Sequence, residues 1–183
     1  MARDTRALRL KFVWLLVLPF LWFARPTLSL LAWGAPLAVL GLLLRAWAAG
    51  TIVKERELTT TGPYSYLRHP LYLGSLFIGV GVTVAGGHWA WPLVFLVFFS
   101  AAYGRTIRAE SVLLLELFGD DYRDYAANVP GLIPRLAPHR AADVASGGFR
   151  FSRYARHKEW EALLGGAALF TYLTARAMLE SHS

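Results

Sequence analysis

The chain has 183 residues, 56% hydrophobic and 17% charged, with a formal net charge of +7 and no cysteine. Its mean hydropathy of +0.41, with apolar residues gathered in long blocks rather than spread along amphipathic faces, excludes an ordinary soluble domain. The missing cysteines exclude disulfides, thiolate zinc sites and cysteine nucleophiles, and the basic residues stand at the ends of apolar blocks, where they suit anionic lipid headgroups better than nucleic acid.

The first block runs from about Leu8 to Phe23, behind Arg3, Arg6, Arg9 and Lys11. Ala24-Arg25-Pro26 offers no small-x-small cleavage site, so the block reads as a retained span, kinked at Pro19. Thr27 to Ala49 is a full span, with Pro26 near its start and Arg45 either snorkelling or facing inward at its end. Lys54-Glu55-Arg56-Glu57 marks a watery interface, and Thr59 to Pro63 carries turn chemistry. A polar island follows, Gly62-Pro63-Tyr64-Ser65-Tyr66-Leu67-Arg68-His69-Pro70-Leu71-Tyr72-Leu73-Gly74. It delivers an arginine and a histidine to the mouth of a third apolar helix, a costly place to leave charge without a use. Pro70 suits the first turn of that helix, which runs to about Ala85, and Gly74, Gly79 and Gly81 permit close helix approach.

Gly86-Gly87-His88 predicts a tight hairpin, flanked by Trp89 and Trp91 as interfacial anchors, before a short fourth segment from Trp91 to about Tyr103. Basic residues cluster at the amino terminus, at Lys54 and Arg56, at Arg105 and Arg108, and from Arg150 to Lys158. The positive-inside rule then puts the amino terminus, the island and a helix beginning near Arg105 together on the cytoplasmic side. On that helix, at about 100° per residue, Glu110 falls within a face made by Thr106, Ile107, Leu113, Leu114 and Leu117. A carboxylate centred on an apolar stripe needs a cation, a proton or a ligand. Arg105 and Arg108 lie about 140° and 200° away around an ideal helix and are not its simple partners. The helix is expected to stop at Phe118-Gly119, ahead of Asp120 to Tyr125 and a rigid Val129–Pro134 loop. Ala137 to Gly148 reads as an exposed linker, and Glu159 to Leu179 as either a fifth span or an interfacial helix. The expected organisation is an all-α, polytopic transmembrane bundle of four to five spans, with a core at 1–136 and a linker plus apolar helix at 137–183.

Gly62-Pro63-Tyr64, Arg68-His69-Pro70, Tyr72 and Gly74, then Glu110, Phe118-Gly119, Tyr122, Tyr125 and Pro134, resemble two separated motifs of the integral-membrane methyltransferases. That family includes isoprenylcysteine carboxyl methyltransferase and the phospholipid N-methyltransferases. Ser111 stands where the family pattern has a second acidic residue, and the segment after Ala137 lies outside the match. The resemblance implies a helical membrane enzyme that binds S-adenosylmethionine at the cytoplasmic face without a Rossmann sheet, and the sequence indeed has no G-x-G-x-x-G after a strand. On this basis Glu110, His69 and the backbone from Gly62 to Tyr64 are expected to hold the amino-acid and sulfonium end of the donor. Tyr72 and Tyr122 would offer aromatic faces to a cation. Arg68 and Arg105 would orient the carboxylate of a lipid-tailed, isoprenoid-type acceptor. A phospholipid amine is the alternative acceptor. Membrane sterol reductases, with a similar helical carboxy-terminal region and NADPH as reductant, are a second alternative. Neither nucleic acid nor an obligate protein partner is expected, and small size without a targeting extension favours a bacterial inner membrane.

Overall fold

In hydrocarbon, every backbone N–H and C=O has to be paired within the chain, which leaves helices as the solution for apolar blocks like these. A computed structural model describes residues 15–53, 57–139 and 148–181. They form α1 (15–23), α2 (Leu28–Thr51), α3 (Pro70–Ala85), α4 (Ala90–Asn128), α5 (Phe151–Arg156) and α6 (Trp160–Ser181), with a 3₁₀ turn at Gly62–Ser65 and no strand among the described residues. The start of the expected first span, the charged run Lys54-Glu55-Arg56 and most of the expected linker (140–147) lie outside the described residues.

Among the described residues, three helices, α2, α4 and α6, are long and apolar enough to cross a membrane, against the four to five spans expected. The start of the expected first span lies outside the described residues, and α3 has 16 residues and is about 24 Å long at about 1.5 Å per residue, short of a hydrocarbon core of about 30 Å. The fourth segment and the Arg105 helix, read as separate, are one helix that runs unbroken from Ala90 to a kink at Gly119. Nothing between Tyr103 and Arg105 breaks it, and Thr106 Oγ1 donates back to the Ala102 carbonyl at 3.0 Å. From Ala90 to Phe118 it is about 44 Å long at about 1.5 Å per residue, well over a hydrocarbon core of about 30 Å, so one end projects past the bilayer core. The helix stops where expected, at Phe118-Gly119: Gly119 takes φ 54° and ψ −121°, a conformation glycine adopts without strain. Beyond it the helix resumes, burying Tyr122 and Tyr125 while Asp120, Asp121, Arg123 and Asp124 stay exposed.

α2 and α3 form the closest pair. A Cβ built on Gly34 would strike the Gly81 carbonyl, and one on Gly41 would strike the Gly74 carbonyl and Ile78. This is the small-residue seam by which membrane helices bring backbones together. One apolar core joins Phe20, Ala24, Leu31, Ala85, Leu173 and Ala177, so α6 packs within the bundle rather than apart from it. Arg176 reinforces that packing, its Nη1 donating to the carbonyls of Leu21 (2.6 Å) and Trp22 (3.1 Å) at the end of α1. A second core at the other end gathers Tyr122, Tyr125 and Val129 against Leu58, Leu114 and Phe118.

Candidate functional site

The polar island begins at Gly62, whose φ of +59° and contact with Thr51 leave no room for a side chain. From there the chain is laced to the loop that follows α4. Arg68 N–H donates to the Pro130 carbonyl (2.9 Å) and His69 N–H to Gly131 (3.1 Å); Arg135 N–H and His139 N–H donate back to Tyr66 (3.0 Å) and Ser65 (2.9 Å). Two tyrosines of α4 add side-chain ties: Tyr125 Oη donates to the Tyr64 carbonyl at 2.7 Å, and Tyr122 Oη accepts from Arg68 Nη1 at 3.2 Å. The turn, the arginine and the histidine are thus held against one helix end.

Two cavities meet at this point. One, of about 220 Å³, is mainly apolar, walled by Ile52, Leu58, Leu113, Leu114, Leu117 and Phe118. The other, of about 230 Å³, is polar, with Arg45, His69, Tyr72, Ser75, Tyr103 and Glu159 around it. Ile52, Tyr64, Arg68 and Glu110 line both. On this shared wall the buried atoms Tyr64 Oη, Arg68 Nε and Glu110 Oε2 have no hydrogen-bond partner among the described residues. An unsatisfied buried polar atom costs about 1–3 kcal/mol, so three on one wall call for partners beyond the described residues, whether water or a bound molecule.

His69 is 4% exposed, and its Nδ1 stands 3.8 Å from Glu110 Oε2. Burial, and then the neighbouring Arg68 charge, push its pKa down to about 4. The imidazole is therefore neutral near pH 7 and does not form an ion pair with Glu110. Burial, and secondarily Glu110, hold the Tyr64 hydroxyl well above the usual phenol range. A consequence is acid sensitivity. The folded His69 pKa lies below the ordinary 6.5, so between these values the unfolded chain takes up a proton that the folded one refuses. Stability is full above pH 6.5 and falls as the pH drops toward about 4, by on the order of 3 kcal/mol. His69→Asn should flatten this part of a detergent melting-temperature profile between pH 7.5 and 4.5; an unchanged slope would remove His69 as its source.

Of the residues expected from sequence, Tyr64, Arg68, His69, Tyr72 and Glu110 converge on the cavities. Gly62 and Tyr122 line neither: Gly62 shapes the turn, and Tyr122, 4% exposed, supports Arg68 instead of presenting its ring to a cation. Arg105 is exposed and lines neither cavity, as its position about 140° from Glu110 on the same helix dictates. Sequence reasoning missed the pair formed by Arg45 and Glu159, and the Tyr103 ring, 5.4 Å from that of Tyr72. Of the two orientations the sequence allows Arg45, the inward one is adopted. Among the described residues no group of three or more His, Asp or Glu is placed to hold a metal ion.

Residues 31–121 match the phospholipid methyltransferase family. The chain is 35% identical over 123 residues to the nickel-cobalt-cadmium resistance protein NccN of Alcaligenes xylosoxydans xylosoxydans, covering 66% of this chain and 55% of that one. It is 34% identical to the cobalt-zinc-cadmium resistance protein CzcN of Cupriavidus metallidurans, covering 65% and 54%. With the protein-S-isoprenylcysteine O-methyltransferase of Schizosaccharomyces pombe it shares 33% identity over 45% of this chain and 35% of the other. The chain thus spans about half the length of the two resistance proteins and about a third of the methyltransferase. No solved structure matches.

Proposed function

We propose, for a chain whose residues 31–121 belong to the phospholipid methyltransferase family, that it is an integral-membrane methyltransferase moving a methyl group from S-adenosylmethionine to a lipid-tailed acceptor. The observation that carries this reading is the shared wall: a polar and an apolar cavity meet at Tyr64, Arg68 and Glu110, with one unpartnered buried atom on each. When bound, the donor supplies a methyl group on a positively charged sulfur, open to in-line displacement by an acceptor atom. The residues fit such a group, because the polar cavity offers two carboxylates, two arginines and the Tyr72 and Tyr103 rings, all suited to a zwitterionic, cationic nucleoside.

The roles of the chain's own residues follow. Glu110 sets a negative charge at the wall; Arg68, held by Tyr122 and the Pro130 carbonyl, turns its free Nε toward an acceptor carboxylate. The apolar cavity takes the first part of a hydrocarbon tail, and water is kept out by Leu113, Leu114, Leu117 and Phe118. Such a reaction is promoted by positioning and charge balance more than by a protein nucleophile. A carboxylate acceptor of isoprenoid type is the first reading. A phospholipid amine is the second, favoured by one observation: Glu57 joins Glu110 on the apolar cavity, so two carboxylates face one arginine there. The basic residues Arg150, Arg153, Arg156 and Lys158 stand at the same end as the site, which orients that end to the cytoplasm, in a bacterial inner membrane.

The test is transfer of radiolabelled methyl from S-adenosylmethionine to membrane lipids by purified protein in mild detergent. A product that releases methanol in alkali is an ester and supports the first reading, while alkali-stable label supports the amine. Absence of transfer to both, with stabilisation by NADPH and not by S-adenosylhomocysteine, would replace the methyltransferase with a reductase.

A further inference from the structure

Glu159 stands outside the family-matched segment, yet its carboxylate is locked to Arg45 as a two-pronged pair. Arg45 Nε donates to Oε2 at 2.9 Å and Nη2 to Oε1 at 2.8 Å, while Nη1 reaches the Leu71 carbonyl (3.3 Å) and Ser75 Oγ (2.5 Å). The two side chains are 22% and 10% exposed. A pair so withdrawn from water gains little net stability over apolar packing of the same volume, so stability alone does not account for it. The backbone is strained to place it. Lys158, immediately before Glu159, is the one non-glycine residue at positive φ among the described residues, at 54°, and such conformations persist where the surroundings enforce them. The enforcing contacts come from a strap: the Phe149 ring lies over Gly50, Arg150 N–H donates to the Gly50 carbonyl at 2.8 Å, and Arg153 Nη1 to the Thr51 carbonyl at 2.8 Å.

From this geometry we infer that Arg45 and Glu159 form the subsite for the amino-acid end of the methyl donor, the arginine facing its carboxylate and the glutamate its ammonium. The inference rests on the donor reading above. A guanidinium has five N–H donors and a carboxylate about four lone-pair sites; Arg45 uses four of its five in these contacts, which leaves one N–H, beside the lone pairs Glu159 keeps, for a zwitterion laid across the pair. Their position agrees. Arg45 and Glu159 line the polar cavity only, whereas Tyr64, Arg68 and Glu110 line both. A donor anchored at the far charged pair has its sulfonium toward the shared wall, where the acceptor cavity begins. The strap 149–159 thereby completes the donor site from outside the matched segment.

Calorimetric titration in detergent with S-adenosylhomocysteine and with 5′-methylthioadenosine, which lacks the amino-acid end, tests the subsite. The wild-type protein should bind the first at least about tenfold more tightly, as expected for hydrogen bonds to charged groups. Glu159→Gln, which keeps the shape of the side chain, should erase most of that preference while leaving methylthioadenosine affinity unchanged. Arg45→Lys serves as the second variant should the first not fold. Equal weakening of both ligands would show the pair to be a structural tie, and full retention of the preference would show it to be irrelevant; each overturns the subsite. A wild-type protein that binds both equally also overturns it while sparing the donor reading, whereas one that binds neither removes both.

Discussion

Replacing Glu110 by glutamine is expected to lower kcat/KM by about 10- to 100-fold, the worth of one hydrogen bond to a charged group, with the melting temperature unchanged or slightly raised. Glutamine preserves the shape of the wall and removes its charge. Glu110 Oε2 has no hydrogen-bond partner among the described residues, so no bond among them is lost when the charge goes. How the loss divides between KM and kcat identifies the acceptor. With a carboxylate acceptor, the sulfonium charge and the acceptor charge cancel as the methyl moves. A fixed carboxylate then favours the bound ground state more than the transition state, and the defect appears in the KM for the donor. With an amine acceptor, positive charge develops on nitrogen at the wall, the carboxylate gains in the transition state, and kcat falls as well. Undiminished transfer in Glu110→Gln, or a collapse of the melting temperature, would take Glu110 out of the site and leave it a structural residue.

Much of this site was legible in the sequence because its residues break a local rule. Glu110 stood out as a charge on an apolar stripe, and Leu113, Leu114 and Leu117 do line its cavity. Arg68 and His69 stood out as charge at the mouth of a greasy helix. What stayed hidden depends on distance along the chain. The lacing of the island to the loop beyond Val129 uses backbone atoms, which leave no mark on residue identity. Glu159 reads from sequence only as the start of the apolar segment Glu159 to Leu179, since its partner lies on α2. The false helix break near Tyr103 came from taking Arg105 as the edge of the bilayer and therefore of the helix; α4 outruns the hydrocarbon, so the two edges differ. At α3 the reverse holds: an apolar block read as a span is too short to match the bilayer.

Gly41→Leu is expected to abolish donor binding while leaving the helices helical. Between helices in hydrocarbon there is no hydrophobic drive, so association rests on close packing of small residues, and within each helix the backbone bonds persist regardless. A Cβ on Gly41 would lie 2.5 Å from the Gly74 carbonyl oxygen and 2.8 Å from the Ile78 backbone nitrogen. Backbone atoms of a neighbouring helix cannot swing aside as a side chain can, so α2 and α3 have to separate. The polar cavity straddles that seam. Arg45, one helical turn beyond Gly41, bonds to Leu71 and Ser75 on either side of Gly74, and a wedge at Gly41 pulls the arginine from both. Gly41→Ala should cost about 1–3 kcal/mol, the usual range for overpacking, and weaken the thermal stabilisation given by S-adenosylhomocysteine; Gly41→Leu should remove that stabilisation with far-UV circular dichroism unchanged. A leucine variant that melts and responds to the ligand like the wild type would mean that the α2–α3 seam does not set the spacing of the site.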